Sequence, residues 1–324
     1  MKPSEGNLSV EYQFANNYVF DVGYAATRSH HLLAERQWGT GGNGGNGLGS
    51  VKVTNTSFGC AAPPCFFSDV RTFEGRANAA YDSLQAKLEK RYSKGVVGTL
   101  AYTWSHNRDN SSGLFGSPGE QRGQVGGPLN ALNLNADRSD SSLDHRHLFV
   151  ASALWDLPFG KGKKYGGNVS ETADKFLGGW QWNIVLDGSS GQHFTVGQNG
   201  RPANQVGPAY LNGFLNPASF TDGSNPANLG SICYNNLAGN QFCYGNSGRN
   251  HFTGPGYFRT DMSIFKNLTL TERVKLQIGL EGFNLFNQAN ALVPNSDRGG
   301  GNFGFFQNTW LPGRIVQYRG RIIF

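Results

Sequence analysis

The feature that most constrains this chain is a repeated alternation of apolar and polar residues, in segments whose connections are alternately short and long. In LSVEYQF, the residues Leu8, Val10, Tyr12 and Phe14 fall on one face, and polar side chains fall on the other. Successive side chains of a β-strand point to opposite faces, so a period of two predicts strands with one apolar and one polar face.

Nine segments show this strand pattern, and several of them have the length of a membrane crossing. They span roughly residues 8–14, 18–27, 82–92, 96–106, 147–157, 180–188, 258–268, 274–283 and 314–324. A tilted β-strand needs about 9–11 residues to cross a bilayer. The fifth segment is apolar on both faces, and Lys90 interrupts the apolar face of the third.

The four long predicted connections span roughly residues 29–79, 108–143, 190–256 and 285–312. Outer-membrane barrels have short periplasmic turns and long extracellular loops, whereas a soluble β-sandwich has no reason to sort its loops in this way. The connection between the fifth and sixth segments fits the alternation least well. We therefore predict an all-β fold, a transmembrane antiparallel β-barrel of the bacterial outer membrane, with residues 1–324 as one barrel portion and a soluble β-sandwich as a rival.

Composition agrees with a barrel. The chain has 46 Gly, 13% aromatic residues and only 15% charged residues, and it has no apolar run of about 18 residues that would predict a spanning helix. Aromatic residues, among them Tyr18, Tyr24, Tyr92, Tyr102 and Trp104, gather near predicted strand ends, where barrels carry aromatic girdles. Single-chain bacterial barrels have even strand counts, so we expect about nine or ten strands of a larger barrel, within a longer protein.

Several motifs occur in the same order as in a known family. They are YDSLQAKLEKRYSKG with AYTWSHNRDN, then DHRHLFVASALWDLPFGKGKKY, GNSGRNHFTGPGYFRTDMSIFKN and EGFNLFNQAN. The chain resembles the carboxyl-terminal barrel of TonB-dependent receptors, in particular the large Oar-like transporters. The resemblance implies a complete barrel of 22 strands with an internal plug, driven by the TonB complex. Neither a plug nor a TonB-contacting box is found in these residues, so TonB would act through the missing amino-terminal region.

The resemblance also assigns a role to the last predicted strand, VQYRGRIIF. Its aromatic and apolar residues match the terminal signal that the barrel-assembly machinery reads. The matching positions are Tyr318, Gly320, Ile322 and Phe324.

The polar faces of the predicted strands would line the barrel lumen and contact a plug, while the apolar faces would contact membrane lipid and lipopolysaccharide. The predicted lumen residues are Gln85, Lys87, Glu89, Lys275, Gln277, Glu281, Gln317, Arg319 and Arg321. Their charges have both signs, which favours a wet wall over a selectivity ring of one sign. Solvation of the interior explains any single residue equally well. Loop aromatics that could stack on a ligand are Phe66, Phe67, Tyr210, Phe214, Phe220 and Tyr244.

The four cysteines form two local pairs in loops, Cys60 with Cys65 and Cys233 with Cys243. We predict two disulfides of an oxidising compartment, because no zinc-finger spacing accompanies them.

Several other motifs resemble ligand-binding sequences but are better explained as parts of the structure. GGNGGNG lacks the flanking strand and helix of a dinucleotide site, and GKGKK is an incomplete phosphate loop, which we interpret as a turn near lipid headgroups. Asp144, His145 and His147 of DHRH are metal-ligand types, but Asp144 and the histidines alternate on a strand, which favours hydrogen bonding. The adjacent His30 and His31 diverge in an extended chain.

No nucleophile–base set or cofactor motif is found, and the net charge of +6 is spread without a nucleic-acid patch. We predict a non-enzymatic outer-membrane TonB-dependent transporter or receptor with no cofactor and no nucleic-acid partner. Its extracellular ligand is unidentified and bulky, such as an oligosaccharide, peptide or metal chelate. The alternatives are a barrel-anchored surface adhesin or structural protein, and a passive pore.

Overall fold

The computed structural model describes residues 4–37, 51–53, 65–67, 71–112, 134–198, 201–235 and 241–324. Within them, nine long strands form one antiparallel sheet in which each strand pairs with the next along the chain. They are β1 (Ser4–Phe14), β2 (Tyr18–Gln37), β3 (Arg71–Ser93), β4 (Val96–Asp109), β5 (His147–Asp156), β6 (Trp180–Ser189), β7 (Tyr257–Thr269), β8 (Lys275–Phe283) and β9 (Ile315–Ile323). Each overlaps a predicted strand, so the antiparallel all-β prediction is confirmed.

The strands β2 and β3 are longer than predicted. β2 continues to Gln37 and β3 begins at Arg71, so the first long connection spans 38–70 and not 29–79. The pairing of these two strands shifts register between Ser29 and Leu33, and His31 has a positive φ of 58° there. A bulge of this kind breaks the period of two, which explains why alternation did not predict the outer part of the hairpin.

The short connections are tight turns. Lys94 and Gly95 join β3 to β4 with φ of 52° and 80°, the left-handed pair that a two-residue hairpin turn requires. A Cβ on Gly95 would lie 2.9 Å from the carbonyl oxygen of Asp156, so this position also lacks room for a side chain. Ala15 and Asn16, with φ of 48° and 56°, make the turn between β1 and β2.

The connection from β5 to β6 contains a short helix, α1 (Glu171–Leu177). The Ser170 side chain accepts a hydrogen bond from the backbone N–H of Ala173 at 3.2 Å, and this caps the first turn. Gly178 ends the helix by donating its N–H to the carbonyl of Asp174. None of the helices in the described part of the chain has the length and hydrophobicity that crossing a bilayer requires.

The register gives the sheet one apolar and one polar face. Residues paired across an antiparallel ladder point to the same side, so Tyr24, Leu84 and Trp104 are neighbours across β2, β3 and β4. The apolar face, which contains this row and the equivalent residues of the other strands, is largely uncovered by the described residues, with Leu8 72% exposed. Large uncovered apolar surfaces mark contact with another apolar phase or partner.

The main buried cluster lies among the long connections, although Ala34, Ala77 and Phe265 are buried within the sheet. The main cluster consists of Phe194, Val196, Ala203, Leu215, Phe220, Phe252, Val293 and Phe303. We call residues 190–256 and 284–314 the loop cap. Two-residue strands in the cap pair as His193–Phe194 with Phe252–Thr253, Gly197–Gln198 with Arg201–Pro202, Asn204–Gln205 with Phe220–Thr221, and Tyr210–Leu211 with Phe214–Leu215.

Three further strand pairs and two 3₁₀ turns complete the described secondary structure. Ile232–Asn235 pairs with Gln241–Tyr244 in the cap, Val51–Val53 pairs with Cys65–Phe67, and Ser139–Asp140 adds to the end of β4. The 3₁₀ turns span Leu134–Asp137 and Pro217–Ser219. Among the described residues, β1 and β9 each pair with one strand only, so the sheet has two open edges.

Candidate functional site

The nine predicted lumen residues lie on the polar face of the sheet. Lys87 pairs with Asp21 of β2 and Gln277 pairs with Arg321 of β9, so polar side chains neighbour each other across strands. Polar side chains therefore share one side of the sheet in β2, β3, β8 and β9, whereas β5 places Leu148, Val150 and Leu154 on that side.

Charges on the polar face compensate each other locally. Gln317 Nε2 donates to Glu281 at 2.7 Å, and Arg319 pairs with the same carboxylate at 3.2 Å. Lys87 pairs with Glu89 at 3.1 Å on β3. The wall thus carries both signs at close spacing, which suits contact with a hydrated or mixed-charge partner rather than selection of ions of one sign.

Arg249 braces the loop cap against the rim of the sheet. Its guanidinium donates to the Asp109 carboxylate at 2.6 Å and to the carbonyl of Asp137 at 3.2 Å. It also donates to Ser112 and to Ser139 Oγ. Arg249 and Asp109 have side chains only 13% and 5% exposed. One arginine therefore connects the cap, the end of β4 and the segment that precedes β5.

A second brace joins Asp140, Asp144, Arg146 and His193. Arg146 donates to Asp140 at 3.1 Å and to Asp144 at 3.2 Å, and His193 Nε2 lies 3.3 Å from Asp144. Asp144 is 1% exposed. Burial by itself raises the pKa of Asp144, but the hydrogen bonds from His193 and the backbone N–H of Asn107, with the charge of Arg146, outweigh burial and lower it.

The ligating atoms of Asp140, Asp144 and His193 lie within 4.8 Å of one another, as those of a cation site would. Arg146 already ion-pairs with both carboxylates, and His106 lies 2.7 Å from Asp140. One guanidinium therefore pairs with both carboxylates, and histidine nitrogens lie within hydrogen-bond distance of them, so the arrangement acts as a structural brace.

The histidines of the DHRH motif do not join Asp144. His145 Nδ1 lies 3.1 Å from the carbonyl of Ser190, and His147 Nδ1 lies 2.7 Å from the hydroxyl of Tyr102. Asp144 accepts the backbone N–H of Asn107 at 2.6 Å. Each of the three side chains thus makes a hydrogen bond at the start of β5, as the strand reading of this motif predicts.

The loop aromatics separate into buried and exposed groups. Phe220 is 2% exposed and packs in the core of the cap, so it is not available to a ligand. Tyr210 donates its hydroxyl to the carbonyl of Thr253 at 2.8 Å, and burial raises its pKa. Phe214 remains 57% exposed, with its ring 5.9 Å from that of Phe306. Tyr244 is partly buried, and the side chains of Phe66 and Phe67 lie outside the described residues.

The predicted cysteine pairs lie in different parts of the chain. Cys233 and Cys243 face each other across a two-stranded ribbon of the cap and form a disulfide. The side chains of Cys60 and Cys65 lie outside the described residues, as does the GGNGGNG segment. The GKGKK lysines occupy the connection that carries α1, at the end of the sheet with the short turns.

Sequence reasoning did not identify Arg249, Asp109 or His193. The Arg249–Asp109 contact joins residues 140 positions apart, so no local spacing indicates it. The segment GNSGRNHF, which contains Arg249, contributed to the family resemblance, but it gave no indication of a contact with Asp109.

The family model described as an outer membrane beta barrel domain matches residues 4–317, nearly the whole chain. No curated protein matches the sequence.

Several solved structures are similar to this chain at low sequence identity. The outer membrane transporter YddB from Escherichia coli is 6% identical with a TM-score of 0.48, and the match covers 99% of this chain and 32% of that one. The siderophore receptor PirA from Acinetobacter baumannii is 12% identical with a TM-score of 0.42, covering 99% and 31%. The ferric-catecholate import receptor Fiu from E. coli K12 is 8% identical with a TM-score of 0.43, covering 99% and 27%. The chain thus spans about a third or less of the length of these structures.

Proposed function

This chain belongs to the outer membrane beta-barrel domain family and lies in the bacterial outer membrane, and from that premise we propose that it is part of the wall and extracellular face of a TonB-dependent, Oar-like receptor. The loops bind a bulky ligand such as an oligosaccharide, peptide or metal chelate, and the protein passes it inward without chemical change. Because the chain spans only part of the length of its structural matches, transport is proposed for the whole protein that carries this barrel portion.

The observation that carries the proposal is the polar face, with its closely spaced charges of both signs. The Glu281 side chain is 15% exposed and pairs with Arg319 and Gln317. The Arg319 side chain is 48% exposed, so its guanidinium is accessible to a domain packed against the wall. A passive selective pore is better served by rings of one sign facing open water. The mixed wall therefore favours a plugged receptor over the passive-pore alternative.

The loop cap supports the ligand-binding part of the proposal. Its core of buried aromatics holds exposed rings in place, among them Phe214, Phe305 at 65% exposed and Trp310 at 43% exposed. Exposed aromatic rings on a rigid support stack on sugars and other planar or apolar ligand groups. An adhesin would use the same surface, so the energy coupling has to be tested separately.

Photocrosslinking tests the plug. A photoreactive amino acid replaces Gln277 on the polar face or its neighbour Ile278 on the apolar face, in cells that make the protein in their outer membrane. We expect the Gln277 probe to capture polypeptide and the Ile278 probe to capture lipid. Lipid at Ile278 with no polypeptide at Gln277 would contradict the plugged barrel and support a passive pore.

Energy coupling needs a second measurement. The protein purified from outer membranes is passed over the immobilised periplasmic domain of TonB from the same host. We expect it to be retained and to be eluted by excess soluble TonB domain. A protein that crosslinks a plug and is not retained would be an anchored adhesin or structural protein and not a TonB-dependent receptor.

A further inference from the structure

A cleft with arginine walls lies at the outer ends of β2, β3 and β4. Arg28 pairs with Ala80, and Ala80 pairs with Arg108, so these three residues form one row across the strands. The row of Tyr24, Leu84 and Trp104 lies four residues away along the same three strands. The side chains of both rows therefore point to the same side of the sheet. Because Ala80 ends at Cβ, it leaves a gap between the two arginines.

The cleft is small, with a volume of about 70 Å³, and it opens to solvent. Its remaining walls are His30, Asn78, Ala79, Asn110, Asn135 and Arg138. Asn78 donates its backbone N–H to Asn110 Oδ1 at 2.8 Å, and His30 Nδ1 lies 3.0 Å from Asn78 Oδ1. These hydrogen bonds hold amide groups in the wall of the cleft.

The positive charges of the cleft differ in their partners. Arg28 donates to both carboxylate oxygens of Asp82, at 2.7 and 2.9 Å, so its charge is compensated. Within the described part of the chain, neither Arg108 nor Arg138 has an ion-pair partner. Two uncompensated guanidinium groups in one cleft match an oxyanion with several oxygens, above all a phosphate.

The height of the cleft indicates where such a phosphate comes from. Tyr24 and Trp104 belong to the aromatic residues near the extracellular end of the apolar face, where a barrel leaves the hydrocarbon. Arg28 follows Tyr24 by four residues, and Arg108 follows Trp104 by four, which is about 13 Å along each strand. Because the strands are tilted by ~40°, the two arginines lie about 10 Å above the level of Tyr24 and Trp104. Ordinary lipid headgroups extend about 5–8 Å beyond the hydrocarbon. The cleft therefore faces the level of large sugar headgroups at the outside of the wall.

We propose that this cleft binds a phosphate on the sugar headgroup of lipopolysaccharide in the outer leaflet, with Arg108 and Arg138 as its cationic donors. Arg28, which is held by its two hydrogen bonds to Asp82, forms one side of the cleft. The side-chain amides of Asn78 and Asn110 lie beside the bound phosphate. The site is separate from the polar face and from the loop cap, so it does not depend on the receptor function.

Lipid binding to the protein purified from outer membranes tests the proposal. Native mass spectrometry measures binding of phosphorylated lipopolysaccharide, of the same lipid after enzymatic dephosphorylation, and of inorganic phosphate. We expect the double variant Arg108→Gln/Arg138→Gln to bind the phosphorylated lipid at least about tenfold more weakly, or ~1.4 kcal/mol. Wild-type protein should bind the dephosphorylated lipid as weakly as the variant does.

Two further variants keep the test decisive. Arg273→Gln removes an exposed arginine from the turn between β7 and β8, at the opposite end of the strands, and should bind like wild type. Ala80→Leu keeps every charge but fills the gap, and should weaken binding as the double variant does. Equal binding of the phosphorylated lipid by wild type and both cleft variants would overturn the proposal. Binding of inorganic phosphate without competition from the lipid would overturn the lipid as its source.

Discussion

At the scale of single residues, the Arg249–Asp109 pair is a largely buried contact between the loop cap and the sheet. Asp109 closes β4, and Arg249 reaches it from a connection that begins after β6. Both side chains are largely buried, so either charge without the other is costly. The pair is therefore one of the contacts that hold the cap on the sheet, together with the contact of His193 with Asp144.

Arg249→Ala should loosen the cap while the sheet stays intact. The variant leaves the buried Asp109 carboxylate without its counter-ion, although the Ser112 hydroxyl still donates to it, and the loss of a buried counter-ion costs about 3–5 kcal/mol of local stability. Hydrogen exchange of cap peptides in detergent should accelerate, while exchange in β8 and β9 stays unchanged. Adding Asp109→Asn should restore part of the protection because no buried charge remains, and Arg273→Ala is the matched control. Normal cap protection in Arg249→Ala would contradict the bracing role.

The two faces of the sheet could be predicted from sequence, and the braces could not. The alternation of polar and apolar residues around Lys87 and Leu88 predicts which side of the sheet each faces, because successive residues of a strand point to opposite sides. Arg249 and His193 gain their partners only when distant loops fold together, and no periodicity records that. The outer hairpin of β2 and β3 was missed for a different reason, since the bulge at His31 removes the period itself.

At the scale of elements, α1 provides hydrogen-bond acceptors for one of two lysines that lie on the apolar face. Lys90 and Lys266 both lie on this face near the ends with short turns. Lys90 donates to Ser93 and Val96 in its own turn and lies over the Tyr18 ring. Lys266 donates to the carbonyls of Phe176 and Gly178 at the end of α1. Each ammonium is thereby satisfied by carbonyl or hydroxyl groups at the membrane boundary.

Lys266→Met should release the end of α1 from the sheet. Lys266 is 6% exposed, and its charged hydrogen bonds to the last helical carbonyls are worth about 1.5–3 kcal/mol. Amide exchange across residues 171–178 should therefore rise about tenfold or more. The exposed Lys163 lies in the same connection, and Lys163→Met should leave exchange unchanged. Equal exchange in the two variants would show that α1 is held by other contacts, such as the bond from Trp180 Nε1 to the carbonyl of Phe176 at 2.9 Å.

At the scale of the whole molecule, the apolar face and the open edges require surroundings other than water. Backbone groups at a sheet edge cannot remain unpaired in hydrocarbon, so a membrane barrel has to close. Within the described residues β1 and β9 leave their outer edges unpaired, so closure in a membrane requires a strand partner for each of these edges. The nine strands could be predicted because crossing a membrane imposes their length and their alternation of polar and apolar residues. The connections that form the cap do not cross the membrane, so neither their lengths nor their residue pattern predicts how they fold.

Assembly of the barrel is expected to depend on the carboxyl-terminal residues of β9 and on Phe324. Tyr318, Gly320 and Ile322 lie on the apolar face of β9, and Phe324 follows this strand with 96% exposure. If these residues form the assembly signal, Phe324→Ser should lower the amount of heat-modifiable barrel in the outer membrane several-fold without lowering synthesis. Phe324→Tyr should retain assembly, and Phe305→Ser, which removes an exposed aromatic from the cap, is the control. Normal insertion of Phe324→Ser would assign the aromatic to lipid contact alone, because lipid contact tolerates one lost ring and recognition by the assembly machinery does not.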